Sequence, residues 1–445
     1  MIDIVKPVST TFSSQADYII DLYILHSRDI LDVLNVLFKG MFNVFIVCAL
    51  LFTLFYLVLS VASFFYKSER EKKFIANKAP LVTIHIPTYN ELAALTCAQR
   101  CLDFDYPKDR YSIMIGDDSN DPQVSAKIDA FASKYPQITV TRRGNNAGFK
   151  PGNLNVMLKY TKTPYIVIFD SDFVPGKDFL KRIMTPFIYD SKLAGVQARW
   201  KVSNPNQNFT TVLGTSIINV FHHTVVPFMK KISGTVNFCG SAEAVRVDLL
   251  RAQGGWKHNA LTEDIEYSMK MYRAKKKVLY LEDLTCECEV PYTLSDLCRQ
   301  QMRWAHGNIA AYKEHLPDIL TDRSLSFGTK LSAFMLTTGY VFTFLIVALT
   351  VTGVCSFITN APGPINYYIF FTDFLKNIAL SSGLMIAGSF SFIVSRLSKV
   401  NILKLLVVSF SSGLVVTYFV NKGVFSSLRN KPMQWFMLKK NGNAV

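Results

Sequence analysis

Carboxylate side chains cluster directly after two apolar, β-rich runs in the first half of the chain. Asp117 and Asp118 follow one run, and Asp170 and Asp172 follow the other. Two carboxylates two residues apart at a strand end suit a hard divalent cation such as Mg²⁺ or Mn²⁺, which bridges substrate phosphates. Such a cation neutralises the charge that builds up on a departing diphosphate. A solvated or capping turn is the alternative interpretation for each pair taken alone.

Other polar residues stand where they could hold the rest of a phosphate-bearing ligand. Thr88, Tyr89 and Glu91 follow a third apolar run, and this polar loop with a single ring suits a pocket for a base and a ribose. Lys150 opens a segment rich in glycine and asparagine at a predicted helix start, where such groups can hold phosphate oxygens. The segment lacks the G-x-x-x-x-G-K-[ST] pattern of a P-loop.

Two later segments supply an acid–base group and an aromatic ring. Glu263 and Asp264 follow a threonine that is a plausible N-cap, and one carboxylate at a helix tip could deprotonate an attacking hydroxyl. Plain capping favoured by the helix dipole is the alternative. Gln300 and Arg303 can donate hydrogen bonds to a diphosphate, and Trp304 offers a flat face to a sugar ring. An interfacial aromatic with a basic anchor is the alternative for this segment.

The elements that must position these residues alternate between strands and helices from about residue 80 to residue 300. Short β-rich runs are separated by stretches of helical length and composition, which predicts an open, mostly parallel α/β sheet. In such sheets the ligand site lies beyond the carboxyl ends of the strands, where the acidic residues fall. The predicted strands are residues 81–87, 111–116, 138–142 and 165–169.

Apolar residues crowd the two ends of the chain, where membrane helices are predicted. Half of the 445 residues are hydrophobic and 18% are charged. Uncharged stretches of about 20 residues are long enough to span a bilayer. Basic residues between 67 and 78 predict that the domain after the first stretch is cytosolic. The predicted segments are an amphipathic or irregular segment 1–39, a transmembrane helix 40–66, an α/β domain 80–305, an interfacial helix region 306–330, about three transmembrane helices in 331–421 and a basic tail 422–445.

The formal net charge of +15 limits the classes of partner. The basic residues lie largely beside the predicted membrane segments rather than in a stripe with aromatic residues, which argues against nucleic acid. Lipid head groups and substrate phosphates account for the charge more simply. Three spans after the domain would place the C-terminus outside, whereas the basic tail favours the inside, so the sequence leaves its side open.

The order and spacing of these segments resemble those of family 2 membrane glycosyltransferases, which include cellulose, hyaluronan, chitin and mannan synthases. The likeness extends from about residue 80 to residue 305. A lysine-glycine-asparagine segment at Lys150 and the segment Phe238-Cys239-Gly240-Ser241 are similar to those of the cellulose synthase branch. The segments that carry the resemblance are Asp117-Asp118, Asp170-Ser171-Asp172, Thr262-Glu263-Asp264 and Gln300-Gln301-x-Arg303-Trp304.

The resemblance implies a GT-A fold, Rossmann-like and cytosolic, and inversion at the anomeric carbon, so that an α-linked donor gives a β-linkage. It also implies roles for the residues named above. Asp117 would contact the nucleotide, within a pocket that includes Thr88, Tyr89, Glu91, Asp118 and Lys150. Asp170 and Asp172 would hold the metal, Gln300 and Arg303 the diphosphate, and Asp264 beside Glu263 would be the base. Trp304 would border donor and acceptor, and the acceptor site would include Phe238, Cys239, Gly240 and Ser241.

The resemblance leaves the acceptor and the donor sugar open. The first hypothesis is a processive synthase that adds hexoses to a growing β-glycan and passes it across the membrane, most simply from a UDP-sugar. GDP-mannose fits the same phosphate chemistry. The second is a single transfer onto a membrane lipid. A catalytically idle membrane partner is the third, and the intact Asp170, Asp172 and Asp264 speak against it.

Overall fold

The computed structural model describes residues 10–66, 71–361 and 363–434, with side chains described from residue 27 onward. The first nine residues of the expected amphipathic segment, residues 67–70 of the basic flank and residues 435–445 of the basic tail lie outside this part. The chain divides into two compact units. The first comprises Met1–Leu54 and Phe344–Gly383, and the second comprises Phe55–Thr343 and Leu384–Val445.

The second unit contains a seven-stranded mixed sheet with the strand order β3-β2-β1-β4-β6-β5-β7. Neighbouring strands are parallel except at β6, which is antiparallel to both β4 and β5. The strands are β1 Val82–Thr88, β2 Tyr111–Asp117, β3 Ile138–Arg142, β4 Tyr165–Ile168, β5 Gly195–Val202, β6 Glu243–Arg246 and β7 Val278–Cys288.

The predicted α/β sheet is confirmed, and the first four strands lie within one residue of their predicted bounds. Every residue of β1 is buried, which explains why the sequence of the strand is a nearly continuous apolar run. The antiparallel β6 was not predicted. Its reversal pairs Glu243, its first residue, with Ile168, the last residue of β4, and so brings the start of β6 to the carboxyl edge of β4.

Helices connect the strands and continue beyond the sheet. Residues Phe221–Val225 form a π-helical turn between α6 and α7. The helices of the described residues are α1 Thr10–Phe65, α2 Ala93–Leu102, α3 Pro122–Ala132, α4 Phe149–Tyr160, α5 Phe179–Tyr189, α6 Phe209–Val220, α7 Val226–Ser233, α8 Val247–Ala252, α9 Glu263–Arg273, α10 Leu294–Thr321, α11 Phe327–Thr359, α12 Tyr367–Leu380, α13 Gly383–Val394, α14 Lys399–Ser409 and α15 Ser412–Leu428.

Three described helical segments are long and apolar enough to cross a membrane, namely Ser27–Phe65, Phe209–Ser233 and Phe327–Thr359. The number rises to five if the broken pairs α12 with α13 and α14 with α15 each form one span. The segment Phe209–Ser233 is largely buried within the protein. These spans are those of a multi-pass integral membrane protein.

The helices differ from the predicted segments at two boundaries. The helix α1 is continuous through residue 40, where the amphipathic segment was expected to end. The helix α10 is continuous through residue 305, so the expected interfacial region begins inside a helix of the α/β domain. In the first unit, Asn35 of α1 donates a hydrogen bond of 2.6 Å to the Ser356 carbonyl of α11, which satisfies an amide inside an apolar helix pair.

Candidate active site

The carboxyl ends of β1, β2 and β4 meet at one edge of the sheet, because these three strands are parallel neighbours. Thr88 ends β1, Asp117 ends β2 and Asp170 comes two residues after β4. The hydroxyl of Ser171 donates a hydrogen bond to Glu91, which joins the loop after β4 to the loop after β1. Tyr89 lies half-buried in the same loop. The structure therefore brings together the residues that the sequence assigned to a nucleotide pocket.

The carboxylates of Asp117 and Asp118 are held by two arginines from the end of β3. The Nε of Arg142 donates to Asp117 at 2.8 Å, and Arg143 donates to both carboxylate oxygens of Asp118, at 2.8 and 2.5 Å. Burial would raise the pKa of Asp117, but hydrogen bonds, that from Arg142 among them, lower it overall. For Asp118, burial outweighs the attraction of Arg143 and raises the pKa.

Arg143 also shapes the loop that precedes α4. Its guanidinium donates to the carbonyl oxygens of Ala147 and Phe149, the latter at 3.0 Å. Gly152, in the first turn of α4, allows this close approach, since a Cβ there would collide with the Ala147 carbonyl. The Asp118–Arg143 pair thus links the end of β2 to the start of the helix that carries Lys150.

Lys150 lies at the centre of the site. Its Nζ lies 2.7 Å from Oδ1 of Asp170, 3.1 Å from Oε1 of Glu263 and 2.6 Å from the carbonyl oxygen of Gly240. Burial would lower the pKa of Lys150, but the carboxylates of Asp170 and Glu263 outweigh it and raise the pKa. One ammonium group therefore joins three segments that the sequence assigned to metal binding, to catalysis and to the acceptor.

Asp170 and Asp172 offer hard oxygen ligands at the end of β4. The carboxylate of Asp172 is almost fully buried, whereas that of Asp170 is one-third exposed. The ammonium of Lys150 already occupies a cation position on Asp170. This stand-in cation and the oxygen donor set fit a Mg²⁺ or Mn²⁺ ion.

The turn at residues 238–241, just before β6, is held by buried side chains of the sheet. The backbone amides of Cys239 and Gly240 donate to Oε2 of Glu243 at 3.1 and 2.9 Å. The amide of Cys239 also lies 2.8 Å from Oε1 of Gln197. Gly240 adopts φ +85°, a conformation that other residues rarely take. Ser241 accepts a hydrogen bond of 2.9 Å from the Asp170 amide, which joins the turn to the loop that is predicted to bind the metal.

The same turn is fixed to α9 by a hydroxyl. The amide of Phe238 donates to Oγ of Ser268 at 2.9 Å, and that hydroxyl donates to the carbonyl of Asp264 at 2.6 Å. The ring of Phe238 stacks on Tyr267 with centroids 5.7 Å apart. The predicted acceptor turn and the helix that carries the expected base are therefore joined by hydrogen bonds and a ring contact.

The carboxylate of Asp264 faces this turn. A Cβ at Gly240 would lie 3.4 Å from Oδ2 of Asp264 and 3.4 Å from Nζ of Lys150, so the turn lies against both groups. Burial, reinforced by the neighbouring Glu263 carboxylate, raises the pKa of Asp264 to about 7. A carboxylate with such a pKa is suited to accept a proton near neutral pH.

Thr262 occupies the N-cap position of α9, as predicted, but its side chain makes no capping hydrogen bond. The side chain instead lies against α10, where a Cβ at Gly307 would be 2.6 Å from Oγ1 of Thr262.

The helix α10 brings the predicted arginine and tryptophan to the same edge. Nη1 of Arg303 donates to the carbonyl of Leu261 at 2.8 Å, just before α9. Burial lowers the pKa of Arg303, and nearby carboxylates, led by Glu263, act against this. Trp304 packs against the edge of the sheet's hydrophobic core, and Gln300 is half-buried one turn earlier.

Four residues that position the site were not predicted. Gln197 and Glu243 hold the acceptor turn, Ser268 ties it to α9, and Nε1 of Trp200 donates to the Ser241 carbonyl at 3.0 Å. None of them stands in a segment with a distinctive spacing. The only signal was the position of Glu243 two residues after the turn, in a run that reads as an ordinary strand.

A second group of acidic and histidine side chains lies between α9 and α10. One ligand atom each from Glu266, Glu314 and His315 lies within 4.8 Å of the others, close enough for a metal ion. Oε1 of Glu266 already contacts the Lys270 ammonium at 3.0 Å and Nε2 of His315 at 3.2 Å. These contacts pair α9 with α10 without an ion.

Comparison with known proteins places these observations in a family. A family model described as "Glycosyltransferase like family 2" matches residues 79–307, slightly more than half of the chain. A probable glucomannan 4-beta-mannosyltransferase 7 of Oryza sativa subsp. japonica is 32% identical over 263 residues, covering 56% of this chain and 44% of the relative. Glucomannan 4-beta-mannosyltransferase 9 of Arabidopsis thaliana is 31% identical over 278 residues, covering 60% and 52%. The chain thus spans about half the length of these curated relatives.

A solved structure shares the fold. The mannosyltransferase PcManGT from Pyrobaculum calidifontis, solved with GDP-Man and Mn²⁺, superposes with a TM-score of 0.61 at 16% identity. The match covers 90% of this chain and 99% of that chain. This likeness confirms the GT-A fold expected for the α/β domain.

Proposed function

Because the chain belongs to glycosyltransferase family 2 and is a hexosyltransferase of that family, we propose that it transfers mannose from GDP-mannose to a β-linked, mannan-type polysaccharide at a membrane. Two findings support mannose over the UDP-sugar expected from the sequence. The curated relatives that match the catalytic segment are glucomannan 4-beta-mannosyltransferases, at about 30–32% identity. The solved structure that shares the fold contains GDP-Man.

The observation that carries the proposal is the meeting of three segments at Lys150. The metal-binding loop, the acceptor turn and the start of α9 all contact this ammonium. A donor diphosphate, a metal and an acceptor hydroxyl must meet in the same way for direct transfer.

In this proposal, Asp170 and Asp172 hold Mg²⁺ or Mn²⁺, which when bound neutralises the leaving diphosphate. Lys150, Arg303 and Gln300 supply hydrogen-bond donors to the same phosphates. The Mn²⁺ in the related structure and the stand-in ammonium on Asp170 support this assignment.

Asp264 is the proposed base, with Glu263 beside it. Asp264 takes the proton of the acceptor hydroxyl, the hydroxyl oxygen forms a bond to the anomeric carbon, and the bond from that carbon to the diphosphate breaks. One base suffices for this single displacement, which inverts the anomeric centre. The turn of Phe238, Cys239, Gly240 and Ser241 and the ring of Trp304 border the acceptor.

The loops after β1 and β2 are proposed to hold the nucleotide. Thr88, Tyr89 and Glu91 line one side of this pocket. Arg143 donates to both carboxylate oxygens of Asp118, and those of Asp117 accept hydrogen bonds from Arg142 and from two serines. We therefore infer that the two aspartates shape the other side of the pocket together with these arginines.

We further propose that this domain faces the cytosol, where nucleotide sugars are made and where basic residues flank membrane helices. The test uses detergent-purified protein, Mn²⁺ and a panel of labelled GDP-mannose, UDP-glucose and UDP-N-acetylglucosamine. Incorporation from GDP-mannose alone supports the proposal, with Asp170→Asn as the inactive control. Preferred use of a UDP-sugar would overturn the mannose assignment, and a product that extracts into organic solvent would indicate a lipid acceptor.

A further inference from the structure

Three oxygen atoms surround the Lys150 ammonium in the structure. Its Nζ donates a hydrogen bond to the carbonyl oxygen of Gly240 and forms ion pairs with a carboxylate oxygen of Asp170 and one of Glu263. An ammonium group has three donors and no acceptor, so a phosphate must compete with these oxygens for the same donors. A close phosphate contact by Lys150 therefore favours release of one of these three contacts.

The contact with Asp170 is the one that a bound cation would replace. Oδ1 of Asp170 lies 2.7 Å from Nζ, a charge-assisted contact at close range. An ammonium at this distance opposes a divalent ion on the same carboxylate by repulsion and by occupying an oxygen.

We propose that Lys150 competes with the divalent cation for Asp170, so that the cation binds firmly only together with the donor diphosphate. This inference rests on the proposed function, because it takes Asp170 as a metal ligand. The phosphates supply the anionic oxygens that Lys150 loses when it releases Asp170. If the cation bound without the donor, the Lys150 ammonium and the divalent ion would lie side by side in a partly buried site.

The other two contacts of Lys150 connect its release of Asp170 to the acceptor turn. After Asp170 is released, Nζ stays beside the carboxylate of Glu263 and the carbonyl of Gly240, so it is never left without a partner. Gly240 lies in the acceptor turn, and Glu263 precedes Asp264. Binding of the cation and the donor is therefore coupled to the acceptor turn through the side chain of Lys150.

The test measures Mn²⁺ binding to the detergent-purified protein by electron paramagnetic resonance, with and without GDP. Wild-type protein is expected to bind Mn²⁺ weakly alone and much more tightly with GDP. Lys150→Met should bind Mn²⁺ without GDP about tenfold or more tightly than wild type, because one unit of nearby positive charge is removed. The increase in Mn²⁺ affinity that GDP causes should be smaller in this variant than in wild type.

Two further variants separate charge from folding. Lys150→Arg keeps the positive charge and should bind Mn²⁺ as weakly as wild type without GDP. Lys159→Met changes an exposed lysine of the same helix and should leave every titration unchanged. Thermal unfolding of each variant establishes that the fold is retained.

The outcomes distinguish this inference from the proposed function. In one outcome, wild type binds Mn²⁺ with GDP while Lys150→Met, without GDP, binds Mn²⁺ no more tightly than wild type does. That result refutes the competition and leaves the proposed function standing. If wild type binds no Mn²⁺ even with GDP, the metal-dependent mechanism fails and this inference fails with it.

Discussion

The proton-accepting role of Asp264 predicts a particular pH dependence. The pKa of Asp264 is raised to about 7 in the donor-free protein, chiefly by burial, and the base must be ionised to act. Its active form is therefore lost as the pH falls through 7. Since kcat/KM reports the ionisation of the free enzyme, we expect kcat/KM to fall about tenfold per pH unit below 7 and to level off above it.

The assay follows label transfer from GDP-mannose at saturating Mn²⁺ from pH 5.5 to 8. Asp264→Asn should lower kcat by about 10²- to 10⁴-fold, the usual contribution of a positioned general base, and should abolish the acidic limb. Its affinity for GDP should change little, because the phosphate contacts remain. Asp109→Asn alters a carboxylate that is 79% exposed and should behave as wild type.

Glu243 is the other carboxyl group near this turn whose ionisation could enter the profile. Burial, followed by the charge of Asp264, raises the pKa of Glu243 to about 8. A second change of slope in the pH profile of kcat/KM near pH 8 that is absent in Glu243→Gln would report the ionisation of this residue. A flat wild-type profile between pH 5.5 and 8, or normal turnover by Asp264→Asn, would refute the assignment of the base.

Five further substitutions test other contacts of the site. Trp304→Ala should raise the KM for the acceptor more than the KM for the donor when each substrate is titrated. An equal rise in both KM values would indicate a folding defect instead. Glu243→Gln keeps a side-chain acceptor for the turn and should retain activity within about threefold. Glu243→Ala should lose about tenfold or more in kcat/KM, because it removes the acceptor of the buried Gly240 amide. Gly240→Ala should lower kcat by at least about tenfold, since a residue with a Cβ is strained at φ +85° beside the base. A normal kcat would contradict the turn geometry. Arg143→Met should weaken GDP binding in a calorimetric titration more than it lowers kcat, and unchanged affinity would exclude this loop from the nucleotide pocket.

The parallel part of the sheet was predictable because its strands are continuous apolar runs that end in polar residues. Asp117, Asp170 and the loop after β1 could be placed at one edge from this pattern alone, since carboxyl ends of parallel neighbours coincide. The bounds of β1 to β4 needed no long-range information. Local pattern also located the apolar helices, although it placed a boundary at residue 40 where α1 continues.

The contacts within the site were not predictable, because they join residues far apart in sequence. Glu243 reaches the acceptor turn only because β6 is antiparallel, and four-residue strands carry no signal of direction. Likewise, Arg143 and Asp118 pair across two neighbouring strands, and Lys150 meets Glu263 across more than a hundred residues. Tertiary packing also overrode a local rule at Thr262, whose side chain faces α10 instead of capping α9.

The most direct test of the central claim is the product formed from labelled GDP-mannose by the purified protein with Mn²⁺. The product should be separated by size and treated with an endo-β-mannanase. We expect a mannose polymer that the mannanase digests, made by wild type and absent with Asp264→Asn. A labelled lipid, a digestion-resistant product or incorporation from a UDP-sugar in preference to GDP-mannose would contradict it.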